Sequence, residues 1–168
     1  MEKKVKRYFL DYIFDKTEIV LDLSRNFKIE KDKNKNFNLN KFFYKQIGKD
    51  HFWRDRLVWT DKEWRKYISN KNFETWIMKK GNELVGYYER EYHGDKNEVE
   101  LINMGVLREF RGKKLGSNLL IHVLKKAREE KVSRVWVHTC SLDHQNALKN
   151  YKSRNFKIFR EEQIDFVA

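Results

Sequence analysis

Between Glu98 and Thr139 the chain changes its hydrophobic rhythm twice, and that succession constrains the fold more than any other feature. Glu98 to Val106 reads as a strand. Residues 112–130 then set Leu115, Leu119, Leu120, Val123, Leu124 and Ala127 on one helical face. Arg134 to Thr139 is a short strand, apolar enough to be central in a sheet. A strand, an amphipathic helix and a central strand in that order call for a sheet with a helix packed on it.

The flanking segments extend this sheet. Phe73 to Lys79 and Leu84 to Tyr92 are strands joined by a turn at Gly81-Asn82, and His93 to Asn97 turns into Glu98. Upstream, Glu18 to Phe27 has alternating, β-rich character and is expected to be the first strand. Phe37 to Ile47 and Asp61 to Ser69 are expected helices, the second with Thr60 as N-cap and Glu63 three residues on. Lys31 to Asn36 reads as an exposed loop, and an aromatic run, His51 to Trp59, separates the two helices. Downstream, Asp143 to Ser153 is a helix and Phe156 to Phe166 a last strand. The expected class is α/β (α+β): a mixed, mostly antiparallel sheet of six to seven strands with helices on both faces.

At 168 residues, with no proline, no repeat and no Gly/Ser-rich linker, the chain is expected to be one domain, 1–168. Hydrophobic residues make up 40% and aromatic residues 15%, which argues against disorder despite 37% charged residues. Cys140 is the single cysteine and fits a reducing compartment. Without a secretory signal or a long apolar run, the expected location is the cytoplasm, with no membrane partner. The net charge of +12 is spread along the chain rather than clustered, so it reads as a solvated surface and not as a nucleic-acid site.

The sharpest local feature is Val106-Leu107-Arg108-Glu109-Phe110-Arg111-Gly112-Lys113-Lys114-Leu115-Gly116-Ser117. A strand ends, a glycine-containing loop follows, and a helix begins. Unpaired N–H groups and the macrodipole make such a helix start an anion site, and Arg111, Lys113 and Lys114 add positive charge. The pattern is neither a Walker loop nor a dinucleotide-binding fingerprint.

Arg111-Gly112-Lys113-Lys114-Leu115-Gly116 is similar to the Q/R-x-x-G-x-G/A signature of the GNAT superfamily of acetyl-CoA-dependent N-acetyltransferases, with Lys114 in the place of the central glycine. Ala147, Tyr151, Asn155 and Phe156 resemble its A-x-x-x-Y-x-x-x-G-F pattern, with Asn155 in the place of glycine. The run Val135 to His144 looks like a bacterial branch of the superfamily. The resemblance is firm from Phe73 to Phe166. It implies a sheet splayed between the fourth and fifth strands. It also implies an acceptor side from residues 15–70, a meander from 73–106 and an acetyl-CoA-binding, catalytic half from 107–168.

The resemblance further assigns roles. Met104, Val106, Arg111, Gly112, Lys113, Lys114, Leu115, Gly116, Ser117, His144 and Asn146 are implied to bind acetyl-CoA as cosubstrate. The oxyanion falls to a main-chain N–H around Met104 to Val106, where Gly105 would permit irregular geometry. Glu100 is implied as the base that takes the proton of the acceptor ammonium, with Glu98 or a water chain as alternatives, and Tyr151 as the acid for the leaving thiolate. Trp53, Arg56, His138 and Cys140 are expected at the acceptor pocket, although the aromatic run could equally close the domain. His138, Cys140, Asp143 and His144 are ligand types but match no zinc spacing, so no metal is expected. The expected reaction moves acetyl from acetyl-CoA to a primary amine of a small molecule or peptide in a ternary complex. A non-catalytic acetyl-CoA-binding module and a basic nucleic-acid binder are the other readings, and a homodimer stays open.

Overall fold

The computed structural model describes residues 2–143 and 145–167. In chain order the elements are β1 (Glu2–Ile13), β2 (Phe27–Lys31), α1 (Phe37–Gly48), α2 (Asp61–Ile68), β3 (Phe73–Lys80) and β4 (Glu83–His93). Then follow β5 (Glu98–Val106), a 3-10 turn at Arg108–Phe110, α3 (Leu115–Glu129), β6 (Arg134–Cys140), α4 (Gln145–Ser153) and β7 (Lys157–Val167). The strands form one seven-stranded sheet in the order β2-β3-β4-β5-β6-β1-β7. Every pairing is antiparallel except β5 with β6.

The first strand is the main correction to the sequence reading. Glu18 to Phe27 is not a strand; β2 starts at Phe27, and residues 18–26 are connection. Their apolar members Ile19 and Leu23 pack against the core from a loop. The first strand is instead β1, inserted between β6 and β7. Its charges hide it in the sequence, yet they are matched across the sheet. Arg7 pairs with Glu162 of β7 at 3.2 Å, and Asp11 with Arg134 of β6 at 2.8 Å. Val5, Leu10 and Tyr12 supply the buried side chains between them.

Both sheet faces are covered. On β4, Tyr87 stacks on Phe43 of α1 with centroids 4.7 Å apart, while the next residue, Tyr88, reaches His122 of α3 at 2.8 Å. Adjacent strand residues point to opposite faces, so α1 and α3 lie on opposite sides. Behind α4, Tyr151, Phe156 and Tyr12 pack in series, and Arg154 donates to Ser117 of α3. α2 begins as its sequence requires: Thr60 accepts from the Glu63 N–H at 3.2 Å.

The sheet opens at one place. β5 pairs with β6 only from Glu98–Arg134 to Leu101–Val137. Residues 102–106 keep only β4 as neighbour, and the register slips so that Leu101 faces Arg90 but Asn103 faces Glu89. Ile102 is therefore the extra residue of a bulge. The irregularity expected at Gly105 lies three residues earlier. Gly105 answers to packing instead: a Cβ there would sit 2.6 Å from Cγ2 of Ile47 in α1.

Candidate active site

The splay opens onto a cavity of about 1000 Å³. It is walled by β5 from Ile102 to Val106, the β5–α3 loop, the end of β6 with the start of α4, and the segment 51–56 between α1 and α2, with Val5 and Arg7 of β1 and Ile164 and Asp165 of β7 at its side. The loop has the geometry its motif asks for. Gly112 (φ 82°) and Lys114 (φ 60°) are left-handed, so the lysine adopts the conformation that a glycine would take there. Asn155 (φ 67°) does the same where the second motif has a glycine.

α3 differs from the helices before it. Asn36 caps α1 and Thr60 caps α2 through their side chains, but no side chain caps α3. The first-turn N–H groups of α3 thus remain for an anion at the cavity wall. Arg111 adds its guanidinium: Nε donates to Val106 O at 3.3 Å and Nη1 to Asp50 at 3.1 Å, while Nη2 has no partner among the described residues. This is a fit for a phosphorylated ligand.

The acetyltransferase (GNAT) family model matches residues 36–156. The chain belongs to that family. The match starts after β2 and stops before β7, so the inserted β1 lies outside it. No curated protein matches the chain. Among solved structures, a GCN5-related N-acetyltransferase from Sphaerobacter thermophilus is similar at TM-score 0.73 and 11% identity, over 96% of this chain and 50% of that one. The chain therefore spans half of that protein's length. An aminoglycoside acetyltransferase from an uncultured soil metagenomic sample is similar at TM-score 0.66 and 17% identity, over 88% and 97% of the two chains. A predicted acetyltransferase from Clostridium acetobutylicum, solved with acetyl-CoA, is similar at TM-score 0.63 and 17% identity, over 78% and 90%. At these identities the likeness establishes the GNAT fold.

The GNAT cavity gathers most of the expected residues. Met104, Val106, Arg111, Gly112, Lys114, Leu115, Gly116, Ser117, Asn146 and Tyr151 line it, as do Trp53, Arg56, His138 and Cys140. Lys113 is not on the lining; its ammonium lies over the Phe110 ring. His144 falls outside the described residues. Glu100 and Glu98 are away from the cavity, because both belong to the stretch of β5 still paired with β6. Glu100 bonds to His93 at 3.0 Å and Glu98 to Arg134 at 2.9 Å, so neither carboxylate is placed to take a proton in the cavity.

Arg56 is also corrected in role. Its guanidinium is buried and ion-paired to Glu89 at 2.9 Å, within a cage of Tyr44, Trp59, Trp64 and Tyr67. Glu89 is fully buried and also accepts from Asn40 (2.7 Å) and Asn103 (2.9 Å). The arginine's charge is matched by Glu89, and it braces the wall that it helps to line.

Three of the titratable groups on the cavity with shifted pKa values bear on its chemistry. Burial pushes the Tyr151 hydroxyl up, and Asp143 adds to it, so the phenol keeps its proton. Burial lowers His138, reinforced by Arg7, so the imidazole is neutral at pH 7. Burial and Asp143 raise the Cys140 thiol, which disfavours a thiolate nucleophile.

Two residues were given no place at the cavity by the sequence reading. Arg7 lines the cavity from β1, and no motif marked it. Asp143 closes the end of β6: its carboxylate accepts from Thr139 Oγ1 (2.6 Å), the Cys140 N–H (3.2 Å) and Trp53 Nε1 (3.0 Å). The cluster of ligand-type residues at 138–144 was its only signal.

Proposed function

We propose that the protein is an N-acetyltransferase that moves the acetyl group of acetyl-CoA to a primary amine by direct attack. The observation that carries this reading is the juxtaposition of an uncapped α3 start with strands that part at residue 102, both on one cavity. Acetyl-CoA would supply an activated thioester carbonyl, with Arg111 and the main chain of 112–117 holding its pyrophosphate.

The chain's own groups then divide the work. His138 is the first residue of β6 beyond its last pairing with β5, and it lines the cavity. It takes the proton that the acceptor ammonium must lose. The amine so released forms the new C–N bond. Main-chain N–H groups of β5 in the 102–106 stretch hold the charge that develops on the carbonyl oxygen. As the tetrahedral intermediate breaks its C–S bond, Tyr151 gives its proton to the departing sulfur, and the acylated nitrogen sheds its second proton, which returns to Tyr151 through solvent. Asp55 and Asp165 also line the cavity and favour a cationic amine over a neutral hydroxyl as acceptor. The similarity to an aminoglycoside acetyltransferase supports a small-molecule amine. Lys114 and Asn155 keep the backbone form of the motif glycines, so neither replacement favours a non-catalytic module.

The test is an amine panel with acetyl-CoA and thiol detection of released coenzyme A. Amine-dependent release that falls in the Tyr151→Phe variant is expected. Tight coenzyme A binding without release for any amine would leave the non-catalytic module instead. No described helix is long and apolar enough to cross a membrane.

A further inference from the structure

The segment between α1 and α2 is tied to both of the loops expected to hold acetyl-CoA. Asp50 bonds to Arg108 at 2.7 Å and to Arg111 at 3.1 Å, both in the β5–α3 loop. Three residues on, Trp53 donates its indole N–H to Asp143 at the start of α4. The turn between these anchors is tightly built. Two N–H groups, of His51 and Trp53, converge on the Gly48 carbonyl at 3.0 and 3.1 Å. Phe52 is left-handed at φ 60°, and a Cβ on Gly48 would come within 2.7 Å of the Trp53 Cβ. Trp53 and Asp55 then stand on the cavity wall.

We infer that Asp50 and Trp53 are positioning residues that set the acceptor wall from the two cofactor loops, so that an anion bound at Arg111 is felt by the wall through Asp50. The inference rests on the reading of this cavity as an acetyl-CoA site and adds a coupling to it. Its physical basis is competition. A carboxylate stands where a phosphate oxygen would want the same guanidinium, and both make charge-assisted hydrogen bonds of the same kind. Asp50 therefore opposes the anion while it anchors the wall, and removing its charge acts on the two binding events in opposite senses. A residue with a purely structural role would weaken both.

The experiment measures three things on the full chain: the coenzyme A dissociation constant by calorimetry, hydrogen exchange over residues 48–57 with and without coenzyme A, and KM for an amine found active. For Asp50→Asn, coenzyme A is expected to bind about 3-fold tighter, and the amine KM to rise about 10-fold with kcat changed less. Coenzyme A should alter exchange over 48–57 in the wild type, and that response should vanish in Asp50→Asn. For Trp53→Phe, the amine KM should rise about 5-fold with coenzyme A binding unchanged.

Weaker coenzyme A binding by Asp50→Asn with an unchanged amine KM would overturn the inference, because Asp50 would then serve only to orient Arg111. An exchange response identical in wild type and Asp50→Asn would overturn it as well. If Asp50→Asn fails to fold, an unchanged amine KM in Trp53→Phe does the same. Wild-type protein that binds no coenzyme A would instead defeat the underlying site assignment, and the exchange and calorimetric arms still decide if no amine is turned over.

Discussion

Residues 98–101 and residues 102–106 lie on one strand, β5, but in different surroundings. The first stretch has β4 on one edge and β6 on the other, and its outward carboxylates are engaged, Glu98 with Arg134 and Glu100 with His93. The second has β4 alone, and its other edge looks into the cavity. β6 divides at the same height: Arg134 to Val137 are laddered to β5, whereas His138 and Cys140 line the cavity. Where the ladder is complete, backbone groups are used by the sheet and side chains by each other. Where it ends, the outer edge of β5 is left for a ligand, although side chains such as Asn103 still brace the wall. Under the proposed mechanism, the working groups follow the end of a ladder more than the identity of the acid nearest the motif.

The largest effect should come from the junction between the two stretches. Glu89 holds Asn103 just past the bulge and neutralises buried Arg56. Glu89→Ala leaves that guanidinium buried without its counter-charge, at a cost of about 3–5 kcal/mol in denaturant unfolding. A loss below about 1 kcal/mol would mean the network does not hold the junction.

Next in size is His138→Gln, which should lower kcat/KM about 100-fold. The sign of its pH dependence is fixed by the lowered pKa. The neutral imidazole is the working base, so activity is kept at and above neutral pH and falls as pH drops through a midpoint below the ordinary histidine value of about 6.5. That limb should be absent in the variant; an unchanged limb would move the base elsewhere. Tyr151→Phe should lower kcat less, about 10-fold, since a thiolate with an ordinary pKa near 8.5 leaves with little help. The smallest effect is expected for Glu100→Gln, which should keep kcat/KM within about 3-fold because the carboxylate faces His93 in the paired stretch. A large fall there would erase the distinction between the two halves of β5.

Much of this was legible in the chain. β5 was read with the boundaries it has, and α1, α2, β3 and β4 to within a residue or two, because their periodicity and caps are local. The loop from Arg111 to Ser117 was legible for the same reason: a strand end, a glycine and a helix start follow one another in sequence. β1 was not, since the strands it pairs with, β6 and β7, lie more than 120 residues away and supply Arg134 and Glu162, which balance charges that look unsuited to a sheet. Arg56 was seen as a residue of the acceptor side, but only the fold shows Glu89 claiming its charge.

By itself, then, the sequence determined that a glycine-containing loop leads from β5 into an amphipathic helix, and that Tyr151 lies on the next helix with Asn155 in the place of a glycine after it. Those features need only local backbone preferences and spacing. The tertiary structure decided which acid–base groups reach the cavity. An offset counted along β5 pointed to Glu100, but the bulge at Ile102 and the end of the β6 ladder lie beyond it, leaving Glu100 outside and His138 within. The cause is that a bulge and a ladder end are set by the pairing of strands distant in sequence, and no local pattern encodes where two such strands part.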